Sequence, residues 1–175
     1  MAKTDGIRSK QAGGVSLDRM DRKILGALVV DATRGYADLG REVGLSAPAV
    51  HERVKKLKAA GVIRRISAAI DGPAVGRPLL VFIHVATNNW GHSEAIDRLS
   101  ELPELEEMHS VTGDTSMILK VRLANTEALE ALLRRINAFE SVVATHTFVT
   151  LSTYLERPVQ ANVTADWPAP PLPRE

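Results

Sequence analysis

The sequence predicts an α+β chain, an N-terminal winged helix-turn-helix followed by a ferredoxin-like βαββαβ domain, and two observations predict it. Apolar residues recur at helical spacing up to about residue 60, whereas from residue 79 onward short strand-like apolar runs alternate with two helical patterns. The charge changes at the same place. Residues 1–77 hold fifteen Lys and Arg against eight Asp and Glu, and the rest of the chain holds seven against thirteen. A basic half suits a polyphosphate partner, whose bound counterions it displaces; an acidic half does not.

Taken in order, residues 1–15 carry Gly6, Gly13 and Gly14 without any period and predict a mobile arm. A first helix follows over Leu17 to Asp31, with Leu17, Ile24 and Leu28 on one face. The stretch Tyr36 to Ile63 is the most informative of the chain. Leu39 and Val43 stripe one helix, Gly44 frees the backbone for a turn, and Ser46 is an N-cap for a second helix. On that second helix Val50, Val54 and Leu57 recur at i, i+4 and i+7, which defines its buried side. At about 100° per residue, Pro48, Glu52, Lys55 and Lys56 then point outward, and Arg53 flanks the buried stripe. The first turn, Ser46-Ala47-Pro48-Ala49, is small enough for close approach to a DNA groove. Gly61 ends the helix, and a strand over Arg64 to Ile70, carrying Arg64 and Arg65, predicts the basic wing. Residues 16–70 thus form the predicted DNA-binding domain, and the turn-rich residues 71–78 a linker.

The second domain is predicted over residues 79–155. Leu79 to Thr87 reads as a strand and Ser93 to Leu102 as a helix; Leu105 to Thr112 and Ser116 to Leu123 read as strands joined at Gly113-Asp114. Thr126 is placed as the cap of a helix with Leu129, Leu132, Leu133 and Ile136 on one side, and Val142 to Leu151 is the last strand. This order is the split βαββαβ unit. Its helices cover one sheet face, and the other is predicted to be apolar or weakly polar, which suits a second copy of the chain. Residues 156–175 hold five of the nine prolines and predict an irregular tail, in which Trp167 is placed either on a neighbouring subunit or free in solvent.

With 175 residues and 45% apolar content, the chain has room for one or two cores. Its longest apolar run, Leu79 to Ala86, is broken by His84 and far too short to span a bilayer, and no charged-then-apolar segment opens the sequence. No membrane partner is therefore expected. The lack of cysteine excludes disulfides and is compatible with the cytoplasm.

Three stretches resemble the Lrp/AsnC transcriptional regulators, the feast/famine proteins: Leu17 to Leu25, Val43 to Leu57 with Gly61-Val62-Ile63, and Val111 to Val121. The resemblance covers about residues 16–155. It implies a DNA-binding regulator on the nucleoid, no catalytic or metal site, and a ligand-sensing second domain. It further implies dimers, often closing into octamers, that bind a small effector, an amino acid or related metabolite, between sensing domains. Carried onto this chain, it places Ser46, Pro48, Ala49, Glu52, Arg53 and Lys56 on the recognition helix. Arg53 and Lys56 are assigned to phosphate or guanine, with Arg64 and Arg65 beside them. Gly113, Asp114, Thr115 and Ser116 fall on the effector loop. There the family usually reads Gly-Asp-Tyr-Asp-Tyr, whereas this chain has Ser116 at the second acidic position and no aromatic walls. The loss of that carboxylate questions an ordinary amino-acid specificity.

Two other classes compete. A metal-dependent enzyme would need His84, His109 and His146, one on each of three predicted strands, to converge, although no HExxH, phosphate loop or serine elbow accompanies them. An architectural DNA-binding protein without effector is the other, favoured by the altered loop and opposed by the complete second domain.

Overall fold

A computed structural model describes residues 15–88 and 94–161. The expected arm up to residue 14, the opening of the helix at Ser93 and the docking of Trp167 lie outside the described residues. The chain divides into two compact units, with the division between Ala68 and Ala69.

The first unit has three helices: α1 (Arg19–Val30), α2 (Tyr36–Val43) and α3 (Ala47–Ala59). Helix α1 starts two residues later than Leu17 because Asp18 is its N-cap. The Asp18 carboxylate accepts from the Asp21 amide at 2.7 Å while the Asp21 carboxylate accepts from the Asp18 amide at 3.2 Å, a reciprocal capping box. The core is Ile24, Ala27, Leu39, Val43, Val50 and Val54, with Leu28, Tyr36, Leu45 and Ile63 around it. Between α2 and α3 the chain turns at Gly44, whose φ of 77° is left-handed and open to glycine at no steric cost. Gly40, buried inside α2, matters as much. A Cβ there would lie 2.4 Å from the carbonyl oxygen of Leu45, so the turn closes onto bare backbone.

The expected wing does not form. Residues 64–70 are exposed and make no strand pairing, with Ile66 and Ile70 turned to solvent. A strand exists through its ladder partner, and among the described residues no segment pairs with this one. A short 3₁₀ turn, Pro73–Val75, follows.

The second unit is β1 (Leu79–Thr87), α4 (Glu94–Ser100), β2 (Leu105–Ser110), β3 (Met117–Leu123), α5 (Thr126–Asn137) and β4 (Val142–Val149). The four strands form one antiparallel sheet in the order β2-β3-β1-β4, as the βαββαβ reading requires. Val81, Ile83, Val85, Leu119 and Val121 are fully buried on the face that also packs Leu99, Leu132 and Ile136. Asn125, not Thr126, caps α5, its side chain accepting from the Ala128 amide at 2.9 Å.

The opposite sheet face corrects the expectation of an apolar or weakly polar surface. Register sets two rows across the strands, Glu107–Lys120–Phe82–Phe148 and His109–Ile118–His84–His146. On the β2–β3 side it is charged: Lys120 Nζ lies 3.3 Å from both Glu106 and Glu107, and Arg122 Nε donates to Glu106 at 2.6 Å. A register shift between Leu105 and Glu107 brings both glutamates against these cations. The β1–β4 side is the more apolar, although it carries His84 and His146; there Phe148 is 55% exposed and its ring centroid lies 4.9 Å from that of His84.

Candidate nucleic-acid interface and effector loop

The outward face of α3 is set by its buried stripe. Val50, Val54 and Leu57 are buried; Ser46, Pro48, Glu52, Lys55 and Lys56 are exposed, and Ala49 is half-buried beside them. Ser46 caps the helix, its Oγ accepting from the Ala49 amide at 3.4 Å, and Pro48 occupies the first turn, where no intrahelical donor is lost. The N-terminal end of α3 is thus small and capped, and its lysines lie toward the other end. Lys55, Lys56 and Lys58 make no ion pair among the described residues, nor do the exposed Arg64 and Arg65 that follow α3.

Arg53 is placed differently from the other predicted contacts. Its Nη1 lies 2.6 Å from Asp18 Oδ2 and 2.8 Å from Asp21 Oδ1, so the guanidinium engages both carboxylates of the α1 capping box. The hydrogen bond from the Asp21 amide, and next the one from Arg53, hold the Asp18 carboxyl below the usual carboxylate range. The Arg53 guanidinium is correspondingly raised, first by Asp18 and then by Asp21.

Sequence reasoning missed two features here. His51, exposed on α3, stacks on Tyr36 of α2 with ring centroids 5.2 Å apart at 28°, a contact whose only sequence signal is an aromatic at the start of one helix and an imidazole on the next. The other is Gly40, which reads along the chain as an ordinary helix position.

In the second unit the loop between β2 and β3 spans residues 111–116, longer than the two-residue hairpin the Gly113-Asp114 pair suggests. Gly113 has φ 112° and open space where a Cβ would lie. Thr115 Oγ1 donates to the carbonyls of Val85 at 2.9 Å and Met117 at 3.3 Å. Ser116 donates its amide to Val85 O at 3.0 Å, and its Oγ accepts from the Thr87 amide at 3.1 Å. Both hydroxyls therefore turn inward and tie the loop to the end of β1. Asp114 is exposed.

The three histidines do not converge. His84 and His146 are direct cross-strand partners, but His109 lies two strands from His84, roughly 10 Å away, and bonds Glu107 at 3.0 Å instead. That bond, the largest influence on Glu107, holds its carboxyl below the usual range. Among the described residues no group of three His, Cys, Asp or Glu side chains could hold a metal ion. Nor is any helix there long and apolar enough to cross a membrane.

Residues 17–58 match the AsnC-type helix-turn-helix domain and residues 80–160 the Lrp/AsnC ligand-binding domain. The HTH-type transcriptional regulator FL11 of Pyrococcus horikoshii is 36% identical over 142 residues, covering 81% of this chain and 94% of the relative. The structure of Escherichia coli AsnC superposes with a TM-score of 0.76 at 28% identity, over 83% of this chain and 99% of that one. A feast or famine regulatory protein from M. tuberculosis, complexed with L-methionine, superposes with a TM-score of 0.75 at 34% identity, over 81% and 96%. Fold and relatives together define a DNA-binding transcriptional regulator that carries its own ligand-binding domain. The chain belongs to the Lrp/AsnC family.

Proposed function

We propose that α3 enters the major groove with Ser46, Pro48, Ala49 and Glu52 against base edges, while Lys56, with Arg64 and Arg65, lies on the phosphates. The observation that carries this is the outward face of α3: a small capped first turn leading to lysines that no carboxylate among the described residues engages. The small-molecule effector is an amino acid or related metabolite bound at the loop Gly113–Ser116, a reading supported by the L-methionine complex of the M. tuberculosis relative. Because the Ser116 hydroxyl is held by the Thr87 amide, the exposed Asp114 is the acidic partner for an ammonium group. The assembly is a homodimer, with the octamer as its larger form, packed through the more apolar β1–β4 side of the open sheet face. It acts in the cytoplasm on the nucleoid as a regulator, not as an enzyme.

One measurement tests the effector reading. In a thermal-shift screen against the amino acids and common metabolites, a ligand that binds the native protein must raise its melting temperature, and Asp114→Asn must abolish that rise. A screen without any shift would favour the architectural reading, which the inward-turned Thr115 and Ser116 hydroxyls support.

A further inference from the structure

We infer that Arg53 is a positioning residue, which fixes the recognition helix against the start of α1 by bridging Asp18 and Asp21 and does not itself neutralise a DNA phosphate. The inference rests on the DNA-binding role of α3 given above. Three observations carry it. One guanidinium nitrogen reaches two carboxylates at 2.6 and 2.8 Å across 35 and 32 residues of sequence, a tertiary tie and not a neighbour contact. The same two carboxylates are already oriented by the capping box, so Arg53 meets an acceptor pair that is held in place before it arrives. Asp21 keeps only 17% side-chain exposure and Arg53 32%, which shields this pair more than the open lysines of α3.

Electrostatics argues the same way. A cation that already faces two carboxylates presents little net positive charge to a phosphate, and releasing it would leave two anions beside the DNA. The bridge also floors a groove of about 530 Å³ whose walls include Ser16, Ala49, Glu52 and Lys56. Three of the residues proposed to meet DNA, Ala49, Glu52 and Lys56, thus line the same groove as the bridge. Base readout tolerates errors of only about half an ångström, so a tie at this point controls selectivity before it controls affinity.

The test compares the full chain with Arg53→Met, Arg53→Lys, Asp18→Asn with Asp21→Asn, and Lys56→Gln. Fluorescence anisotropy follows each over a salt series on two duplexes of equal length. One is selected by the unmodified protein from a random pool, and the other is unselected. Lys56→Gln is expected to lower the slope of log affinity against log salt by about 0.9 on both duplexes, as one phosphate contact requires. Arg53→Met is expected to leave that slope unchanged and to cut the preference for the selected duplex by about tenfold. Arg53→Lys should fall between, because one nitrogen can still face both carboxylates, but a flexible, strongly hydrated ammonium holds them less firmly than a planar guanidinium.

The carboxylate variant separates the two roles by sign. Asparagine preserves both capping oxygens, so α1 keeps its start and the variant stays folded even where Arg53→Met does not, as circular dichroism checks. Positioning predicts a lost preference for the selected duplex although two negative charges have gone. A contact role predicts the reverse, a freed Arg53 and tighter binding. Tighter binding with preference intact, or an Arg53→Met slope change equal to that of Lys56→Gln, overturns the inference. If the unmodified protein selects no duplex from the pool, the base-reading role of α3 fails, and this inference with it.

Discussion

The two units hold their shape by different means. The core cluster of the sheet unit holds twelve buried side chains, whereas that of the helical unit holds six, and the helical unit relies in addition on a backbone contact at Gly40 and an ion bridge at Arg53. Burial tolerates small adjustments of neighbouring side chains; a carbonyl against a bare Cα and a guanidinium between two carboxylates tolerate few. The unit that must present a helix to DNA at a set angle is thus held by its most directional contacts.

Four experiments would break or sharpen that contrast. Leu119→Ala empties a fully buried position of the sheet unit and should cost about 2–5 kcal/mol in denaturant unfolding; a cost below about 1 kcal/mol would show that burial is not what holds it. Gly40→Ala should cost about 1–3 kcal/mol of the helical unit's stability and reduce DNA affinity, despite alanine's better helix propensity, because the Leu45 carbonyl must move. A Gly40→Ala variant as stable as the parent would remove the backbone contact from the account. Ser116→Ala should cost about 1 kcal/mol in thermal unfolding, since the Thr87 amide loses its hydroxyl partner at a half-buried position.

The smallest effect expected is from acid. The Asp18 carboxyl is held below its ordinary range in the folded protein, so its contribution is present at neutral pH and is lost as the pH falls through that lowered value. Because the Asp18 side chain is 53% exposed, solvent screens the contribution. Unfolding followed against pH should therefore show only a slight difference between the parent and Asp18→Asn above the carboxylate range, vanishing below it.

Much of the fold was legible because it rests on local periods. The stripes Val50–Val54–Leu57 and Leu129–Leu132–Ile136, and the alternation in Met117–Leu123, each follow from one element meeting one core. What escaped depends on partners far along the chain. Whether Arg64–Ile70 pairs as a strand, whether Ser116 points in or out, and which carboxylates meet Arg53 are decided across tens of residues. The open sheet face shows both cases. Lys120 and Arg122 on alternate positions of β3 already announce a polar stripe, but its confinement to one side follows from the register of β2.

Gly40 has a meaning for descent as well as for stability. With no side chain between α2 and the following turn, that junction closes on main chain, and the main chain there is the same whatever residues α3 displays. Substitutions at Pro48, Glu52 or Lys56 can therefore change which DNA is read without disturbing how the reader is held. A lineage carrying such a turn is free to acquire new target sites by point mutation, one exposed position at a time.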